Sequence, residues 1–193
     1  MTNLELYLYA IALSAALSAG LTPLVRWAAR AWDILDRPGQ VKTHKTPTPS
    51  LGGVAIWAAF TLTLIAMRFW TQFETGTLRN LRAILIGGTL VFLLGLVDDL
   101  KKPHGLHFKP KFGVQLAAAA VLLFFGIRIQ FITPDYVAAA VTLLWVVGIT
   151  NALNLIDIMD GLAASQVAVA ALAFLAIALP SEHVYVNFAA AAL

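Results

Sequence analysis

The sequence predicts an all-α protein, a polytopic bundle of membrane helices, and its composition and six long apolar runs lead to this fold class. Hydrophobic residues make up 60% of the 193 residues and charged residues only 12%, with a mean hydropathy of +0.83. A soluble domain has about 45–50% apolar residues, whereas a membrane helix needs about 20 consecutive, mainly apolar ones. The six runs cover residues 6–25, 51–67, 81–97, 112–127, 137–156 and 162–179.

The ends of the chain predict how many crossings it contains. The first run follows Glu5 without a basic leader and is too long for a signal-peptide core, so we interpret it as a retained span. A seventh apolar segment runs from Val184 only to Leu193, which is too short to cross a bilayer. We therefore expect six complete transmembrane helices and the start of a seventh. They would form a single membrane domain over residues 1–193, the N-terminal part of a larger domain.

The basic residues predict which helix ends face the cytoplasm. Two connections, between the first and second and between the third and fourth spans, hold nine of the thirteen Lys and Arg residues: Arg26, Arg30, Arg37, Lys42, Lys45, Lys101, Lys102, Lys109 and Lys111. The other four, Arg68, Arg79, Arg82 and Arg128, belong to the opposite side. The positive-inside rule then places the N-terminus outside. The net charge of +3 is explained by topology or by anionic lipid, and no nucleic-acid partner is predicted.

Four aspartates lie at the ends of apolar runs and never in their middles: Asp98, Asp99, Asp157 and Asp160. Ionisable groups near hydrocarbon are costly, and those that persist usually line an aqueous site or bind an ion. Both pairs follow spans that run inward, so we expect them on the cytoplasmic face. Neighbouring helical positions diverge by about 100 degrees, so one member of the first pair can face a metal while the other orients a second group. Surface solvation is the alternative.

The segment from Asn151 to Asp160 carries a polar residue at every third position. Residues three apart are neighbours on a helix surface, so Asn151, Asn154, Asp157 and Asp160 are expected to form a polar ribbon around the end of the fifth helix. An N-cap of the next helix is the alternative for one of the two aspartates.

The connection over residues 36–53 is the longest polar stretch of the chain. Prolines at 38, 47 and 49 exclude regular helix, and residues 46–49 are expected to be extended. Lys42, His44 and Lys45 place three potential cations within four residues, which favours a diphosphate ligand. Gly52 and Gly53 open the second span, either for close helix packing or for the approach of a ligand. His104 and His107 are interpreted as loop residues, because magnesium prefers oxygen ligands.

Three segments, taken in order, carry a family resemblance. They are Lys-Thr-His-Lys-Thr-Pro-Thr-Pro-Ser-Leu-Gly-Gly from residue 42, Asp-Asp-Leu-Lys-Lys from residue 98 with Lys-Pro-Lys-Phe and Gln115 after it, and Asn-Ala-Leu-Asn-Leu-Ile-Asp-Ile-Met-Asp-Gly-Leu-Ala from residue 151. Together, over residues 36–165, the chain resembles the polyprenyl-phosphate N-acetylhexosamine-1-phosphate transferases of glycosyltransferase family 4. Within that family it resembles the undecaprenyl-phosphate GlcNAc-1-phosphate transferases.

The resemblance implies transfer of a sugar-1-phosphate, GlcNAc-1-phosphate first among candidates, from a UDP-sugar to undecaprenyl phosphate. UMP would be released with Mg²⁺, or alternatively Mn²⁺, at the cytoplasmic face of a bacterial inner membrane, and a cell-envelope polysaccharide would be started. The oligomeric state stays open. The residues implied are Asp98, Asp99, Asp157 and Asp160 as catalytic groups, with Asp98 and Asp99 at the metal, and Lys42, His44, Lys45, Lys102, Asn151 and Asn154 as substrate-binding groups.

Two departures from the family pattern are expected to matter. Ile158 stands where the family commonly has glycine, and a branched residue disfavours positive φ there. The family's later Gly-Asp motif and histidine-rich loop are absent from the 193 residues, so no activity is expected if Leu193 is the natural end.

Other functions remain as alternatives. One is a phospho-MurNAc-pentapeptide transferase, although Thr-Pro-Ser-Leu-Gly-Gly is closer to the GlcNAc branch. A transporter or a non-catalytic membrane protein is the other alternative. An ion-coupled carrier is disfavoured because transport sites usually lie near the midplane, and the central turns of the six runs lack Asp, Glu, Lys and Arg.

Overall fold

A computed structural model describes residues 3–37, 46–71, 73, 75–102, 105–157, 159, 161–180 and 184–193. Seven helices account for most of this part of the chain: α1 (Asn3–Ala31), α2 (Gly52–Trp70), α3 (Thr75–Leu100), α4 (Phe108–Phe124), α5 (Asp135–Ile156), α6 (Leu162–Ala178) and α7 (Val184–Ala192). Strands β1 (Leu35–Asp36) and β2 (Thr48–Pro49) pair antiparallel, with Leu35 opposite Pro49. The all-α fold class is confirmed.

Four helices are long and apolar enough to cross a membrane: Leu4–Ala31, Gly52–Trp70, Gly76–Leu100 and Asp135–Ile156. Helices α4 and α6 have 17 residues each, or about 26 Å at 1.5 Å per residue, against a hydrocarbon core of about 30 Å. The seventh helix has nine residues. The chain is thus a multi-pass membrane protein. That α4 and α6 also cross the membrane, which would give six complete crossings, stays a prediction.

One compact unit comprises Met1–Leu78 and Ala164–Leu193. Within it, α1 packs against α2, and α7 packs against both. Positions four apart on α2, namely Ala55, Ala59, Thr63 and Met67, are buried and form one face of the helix. In α7, Asn187 and Phe188 are buried. The core of this unit therefore includes the last helix of the chain.

The connection after α1 is extended where the prolines predicted it. Residues 48–49 form β2 against β1, and the backbone N–H of Ser50 donates to the carbonyl of Ile34. Pro49 is tolerated because proline can lie in short edge strands. Helix α2 begins at Gly52, as expected. A methyl group on Gly52 or Gly53 would meet no atom of the described chain within 4 Å, so the helix-packing interpretation of this pair finds no support.

The second compact unit is Arg79–Ala163, in which α4 packs against α5. The backbones of α3 and α4 also approach closely, because a Cβ on Gly87 would lie 3.3 Å from the carbonyl oxygen of Ala118. The connection after α4 is tied to α5 by Thr142, whose hydroxyl accepts from the N–H of Ile129 at 3.1 Å. This unit contains Asp98, Asp99 and the polar end of α5, so the candidate site can be described within it.

Candidate functional site

The first acidic pair lies on the last turn of α3, which continues through both aspartates and ends at Leu100. Both oxygens of Asp98 accept hydrogen bonds. Oδ2 lies 2.7 Å from Nζ of Lys111, and Oδ1 lies 2.6 Å from the backbone N of Leu106. The side chains of Asp98 and Lys111 are 24% and 30% exposed. Asp98 is therefore fixed by the segment that follows it.

The turn after α3 makes this arrangement possible. The N–H of Gly105 donates to the carbonyl of Lys101 at 3.0 Å, and Gly105 has a φ of +63°. That conformation is easy for glycine and strained for residues with a Cβ. A Cβ on Gly105 would also lie 3.0 Å from Oδ1 of Asp98. Glycine is thus required here both for the turn and for the space that Asp98 occupies.

Helix α4 begins directly after this turn. His107 is its N-cap, and Nδ1 of His107 accepts from the N–H of Lys109 at 3.4 Å. This satisfies one of the backbone donors that every helix start leaves unpaired. The interpretation of His107 as a loop residue is confirmed, while His104 lies outside the described residues.

Asp99 has a different partner from Asp98, as the divergence of neighbouring helical positions predicts. Its Oδ1 lies 2.7 Å from Nζ of Lys102, three residues later in the chain. Both side chains are about one-third exposed, 30% for Asp99 and 36% for Lys102. Lys102, a predicted substrate-binding residue, is therefore at the acidic pair and accessible.

The polar end of α5 is joined to α4. Nδ2 of Asn151 lies 2.7 Å from Oε1 of Gln115, and Nε2 of Gln115 lies 3.4 Å from Oδ1 of Asn151. Asn154 is exposed on the next turn. The predicted ribbon is wrong at Asp157, because α5 ends at Ile156 and Asp157 is its exposed C-cap, with a ψ of 57° that is not helical. The N-cap alternative also fails for Asp157, because α6 starts only at Leu162.

Helix α4 brings the two polar helix ends together. Lys111, which holds Asp98 of α3, and Gln115, which holds Asn151 of α5, are four residues apart and share one face of α4. Their separation along the helix axis is about 6 Å. The ends of α3 and α5 are therefore each joined to the first two turns of α4. The sequence analysis assigned no site role to Lys111 or Gln115, although residues four apart on a helix lie on the same face.

The remaining predicted residues are Asp157 and a set that lies outside the described part of the chain. No hydrogen bond or ion pair joins Asp157 to Asp98 or Asp99 within the described chain. Asp160, Ile158, Lys42, His44 and Lys45 lie outside the described residues, and their assignments stay predictions. Among the residues that the structure describes, no group of three or more His, Asp or Glu side chains is placed to hold a metal ion. The metal assignment of Asp98 and Asp99 also stays a prediction.

Comparison with known proteins gives a family match. The family model described as glycosyl transferase family 4 matches residues 81–193, more than half of the chain. This range includes α4, α5 and the part of α3 from residue 81 that ends at the acidic pair.

Three curated relatives illustrate the similarity. The chain is 33% identical over 153 residues, 75% of its length, to a probable undecaprenyl-phosphate N-acetylglucosaminyl 1-phosphate transferase of Bacillus subtilis. It is 32% identical over 166 residues, 77% of its length, to a decaprenyl-phosphate N-acetylglucosaminephosphotransferase of Mycobacterium tuberculosis. It is 35% identical over 145 residues, 64% of its length, to a phospho-N-acetylmuramoyl-pentapeptide-transferase of a Wolbachia from Brugia malayi. The matches span 40%, 39% and 41% of these relatives.

Proposed function

The chain belongs to glycosyl transferase family 4, and we propose that the protein transfers GlcNAc-1-phosphate from a UDP-sugar to undecaprenyl phosphate, with release of UMP. The observation that carries the proposal is the contact of α4 with the ends of both α3 and α5, through Lys111 and Gln115. The names of the Bacillus subtilis and Mycobacterium tuberculosis relatives support the sugar and the polyprenyl phosphate. The reaction would take place at the cytoplasmic face of a bacterial inner membrane and start a cell-envelope polysaccharide.

The charges of the cluster suit phosphoryl transfer. Such reactions need mainly positioning and neutralisation of phosphate charge, with little covalent chemistry from the protein. Lys102 and Lys111 are both partly exposed, at 36% and 30%, so their ammonium groups can reach a diphosphate. Each is held by a carboxylate on α3, which fixes its position before a substrate arrives.

The proposal includes a magnesium ion, with manganese as the alternative, and the donors at the α3 end fit it. Mg²⁺ binds oxygen and typically takes one or two carboxylates together with substrate phosphates. Asp99 has one partner among the described residues and is 30% exposed, whereas both oxygens of Asp98 are engaged. Asp99 would therefore hold the ion and Asp98 would lie beside it. When bound, the ion supplies charge neutralisation at the phosphates.

The test is UMP release by the natural full-length protein, purified in detergent and supplied with UDP-GlcNAc, undecaprenyl phosphate and MgCl₂. We expect UMP release and a lipid-linked product only when all three are present, and a loss of at least about 100-fold in D98N and D99N. The matched control is D135N, which removes an exposed carboxylate paired with Arg128 at the opposite end of α5. Equal turnover by D98N, D99N and the parent would remove the catalytic assignment.

A second donor, UDP-MurNAc-pentapeptide, is to be compared with UDP-GlcNAc, because one of the relatives is named as a phospho-N-acetylmuramoyl-pentapeptide-transferase. The same assay with UDP-MurNAc-pentapeptide discriminates the two donors. A kcat/KM higher for that nucleotide than for UDP-GlcNAc would replace the proposed donor while leaving the reaction class intact. Absence of turnover with either donor would favour a non-catalytic membrane protein.

A further inference from the structure

The amide side chains of Gln115 and Asn151 form a reciprocal pair between α4 and α5. Asn151 donates to Oε1 of Gln115 at 2.7 Å, and Gln115 donates to Oδ1 of Asn151 at 3.4 Å. Nδ2 of Asn151 also donates to the carbonyl of Val147 at 2.8 Å. Both donors of Asn151 and one of its acceptor positions are thus used inside the protein.

Gln115 is the buried member of the pair, and Asn151 is half-buried. Gln115 is only 6% exposed, and its neighbours Ala118 and Ala119 on α4 are buried as well. In such surroundings an amide that loses its partner is left with unpaired polar groups, which is unfavourable. The two amides therefore stabilise one particular register of α5 along α4.

The pair lies between the two halves of the candidate site. On α4, Gln115 follows by one turn the Lys111 that binds Asp98. On α5, Asn151 precedes by one turn the exposed Asn154, and the helix ends at Ile156. A slip or rotation of α5 along α4 would change the position of Asn154 relative to Lys111 and the Asp98 that it binds. A displacement of about 1 Å in an active site can reduce a rate by about 100-fold.

We propose that Gln115 and Asn151 form an amide clamp that positions the end of α5, and that neither side chain contacts the substrates. This inference rests on the proposed transferase function. It moves Asn151 from a substrate-binding role to a positioning role and leaves Asn154 as the accessible asparagine. Asn151 would have to break two or three existing hydrogen bonds to reach a ligand, whereas Asn154 would break none within the described chain.

The test is a double-mutant cycle in the natural full-length protein with Q115M and N151L, which remove the amides and keep apolar volume. Each single variant should lower the midpoint of thermal unfolding, because the remaining amide loses its hydrogen-bond partner. In the double variant the midpoint should fall by less than the sum of the two single decreases, because no amide is then left unpaired. In the UMP assay, each single and the double should lose kcat by a similar factor of about 10–100, with KM for UDP-GlcNAc within about twofold of the parent.

The swapped variant Q115N/N151Q keeps two facing amides and serves as the rescue variant. It also tests the clamp if one of the single variants does not fold. We expect its midpoint and kcat to lie closer to the parent than those of either single. A KM raised about tenfold or more in N151L alone, or unfolding effects that simply add, would overturn the clamp. The unfolding cycle does not depend on turnover. If the midpoint changes are non-additive but the parent is inactive, the proposed function is rejected and the clamp is kept. If the midpoint changes are additive and the parent is active, the clamp is rejected and the proposed function is kept.

Discussion

The ammonium group of Lys111 lies 2.7 Å from Oδ2 of Asp98, and this ion pair joins the first turn of α4 to the last turn of α3. Its two members are 13 residues apart in the chain, and the turn around Gly105 brings them together. Since both side chains are about three-quarters buried, the pair is less screened by solvent than a surface ion pair.

Replacing Lys111 by methionine is expected to impair both stability and turnover. Asp98 would keep its bond to the N–H of Leu106 but lose its counter-charge, at a cost of about 1–3 kcal/mol in the free energy of unfolding. Loss of a positioned cation near the phosphates should lower kcat/KM by about 100-fold. Thermal unfolding in detergent and the UMP assay measure the two effects. K109Q changes an exposed lysine on the same turn of α4 and should behave like the parent. A K111M protein as active as K109Q would contradict the role of Lys111.

Gly105 is expected to tolerate no side chain. In G105A the new methyl group would combine a positive φ with a 3.0 Å approach to Oδ1 of Asp98, so the carboxylate would have to move. The expected result is a loss of kcat of about tenfold or more. The control G126A introduces the same kind of strain at a φ of +86°, with an ordinary 3.6 Å contact to Arg79. Comparable losses of kcat in both variants would mean that backbone strain, and not Asp98, is responsible.

The sequence predicted the helices of this fold better than their ends. The apolar run before Asp98 and Asp99 predicted a helix ending at the acidic pair, and α3 ends at Leu100. Asn151 and Asn154 were correctly placed on a helix. The exit from α5 at Asp157 was missed, because a regular spacing of polar residues continues through the point where the backbone leaves helical geometry.

The partners of the acidic pair were not predictable from charge alone. Lys101, Lys102, Lys109 and Lys111 look equivalent as members of one basic connection. The turn at Gly105 brings Lys111 to Asp98, whereas Lys102 reaches Asp99 locally, from three residues later in the chain. The amide pair depends on how α4 and α5 pack, and this packing depends on tertiary contacts that a linear pattern does not encode.

The two aspartates are expected to differ in their response to metal. D99N removes the carboxylate that has a single partner among the described residues, and a partly exposed ion pair between residues three apart, which contributes less than about 1 kcal/mol. It should therefore raise the Mg²⁺ concentration for half-maximal activity by at least about tenfold and change the unfolding midpoint little. D98N should lower the midpoint, because Asp98 binds both Leu106 and Lys111. Titration of MgCl₂ after removal of metal with EDTA measures the first effect. Identical Mg²⁺ curves for D99N and D135N would exclude Asp99 as a ligand.

Phe188 is expected to be the most costly aromatic residue to truncate in the first compact unit. Its ring is 1% exposed and makes edge contacts with Tyr7, at a centroid distance of 5.0 Å, and with Phe73 at 4.9 Å. Between membrane helices, association depends on packing and interhelical hydrogen bonds, so the cavity left by F188A should cost about 3 kcal/mol.

The buried neighbour Asn187 adds a smaller contribution to the same contact. Its Nδ2 donates to the hydroxyl of Tyr7 at 3.2 Å, and bonds of this kind in membrane proteins average about 0.6 kcal/mol. Y7F should therefore destabilise the protein much less than F188A in thermal unfolding. The control F131A removes a ring that is 88% exposed and should change the free energy of unfolding by less than about 0.5 kcal/mol. If F188A were as stable as F131A, α7 would not belong to the core of this unit.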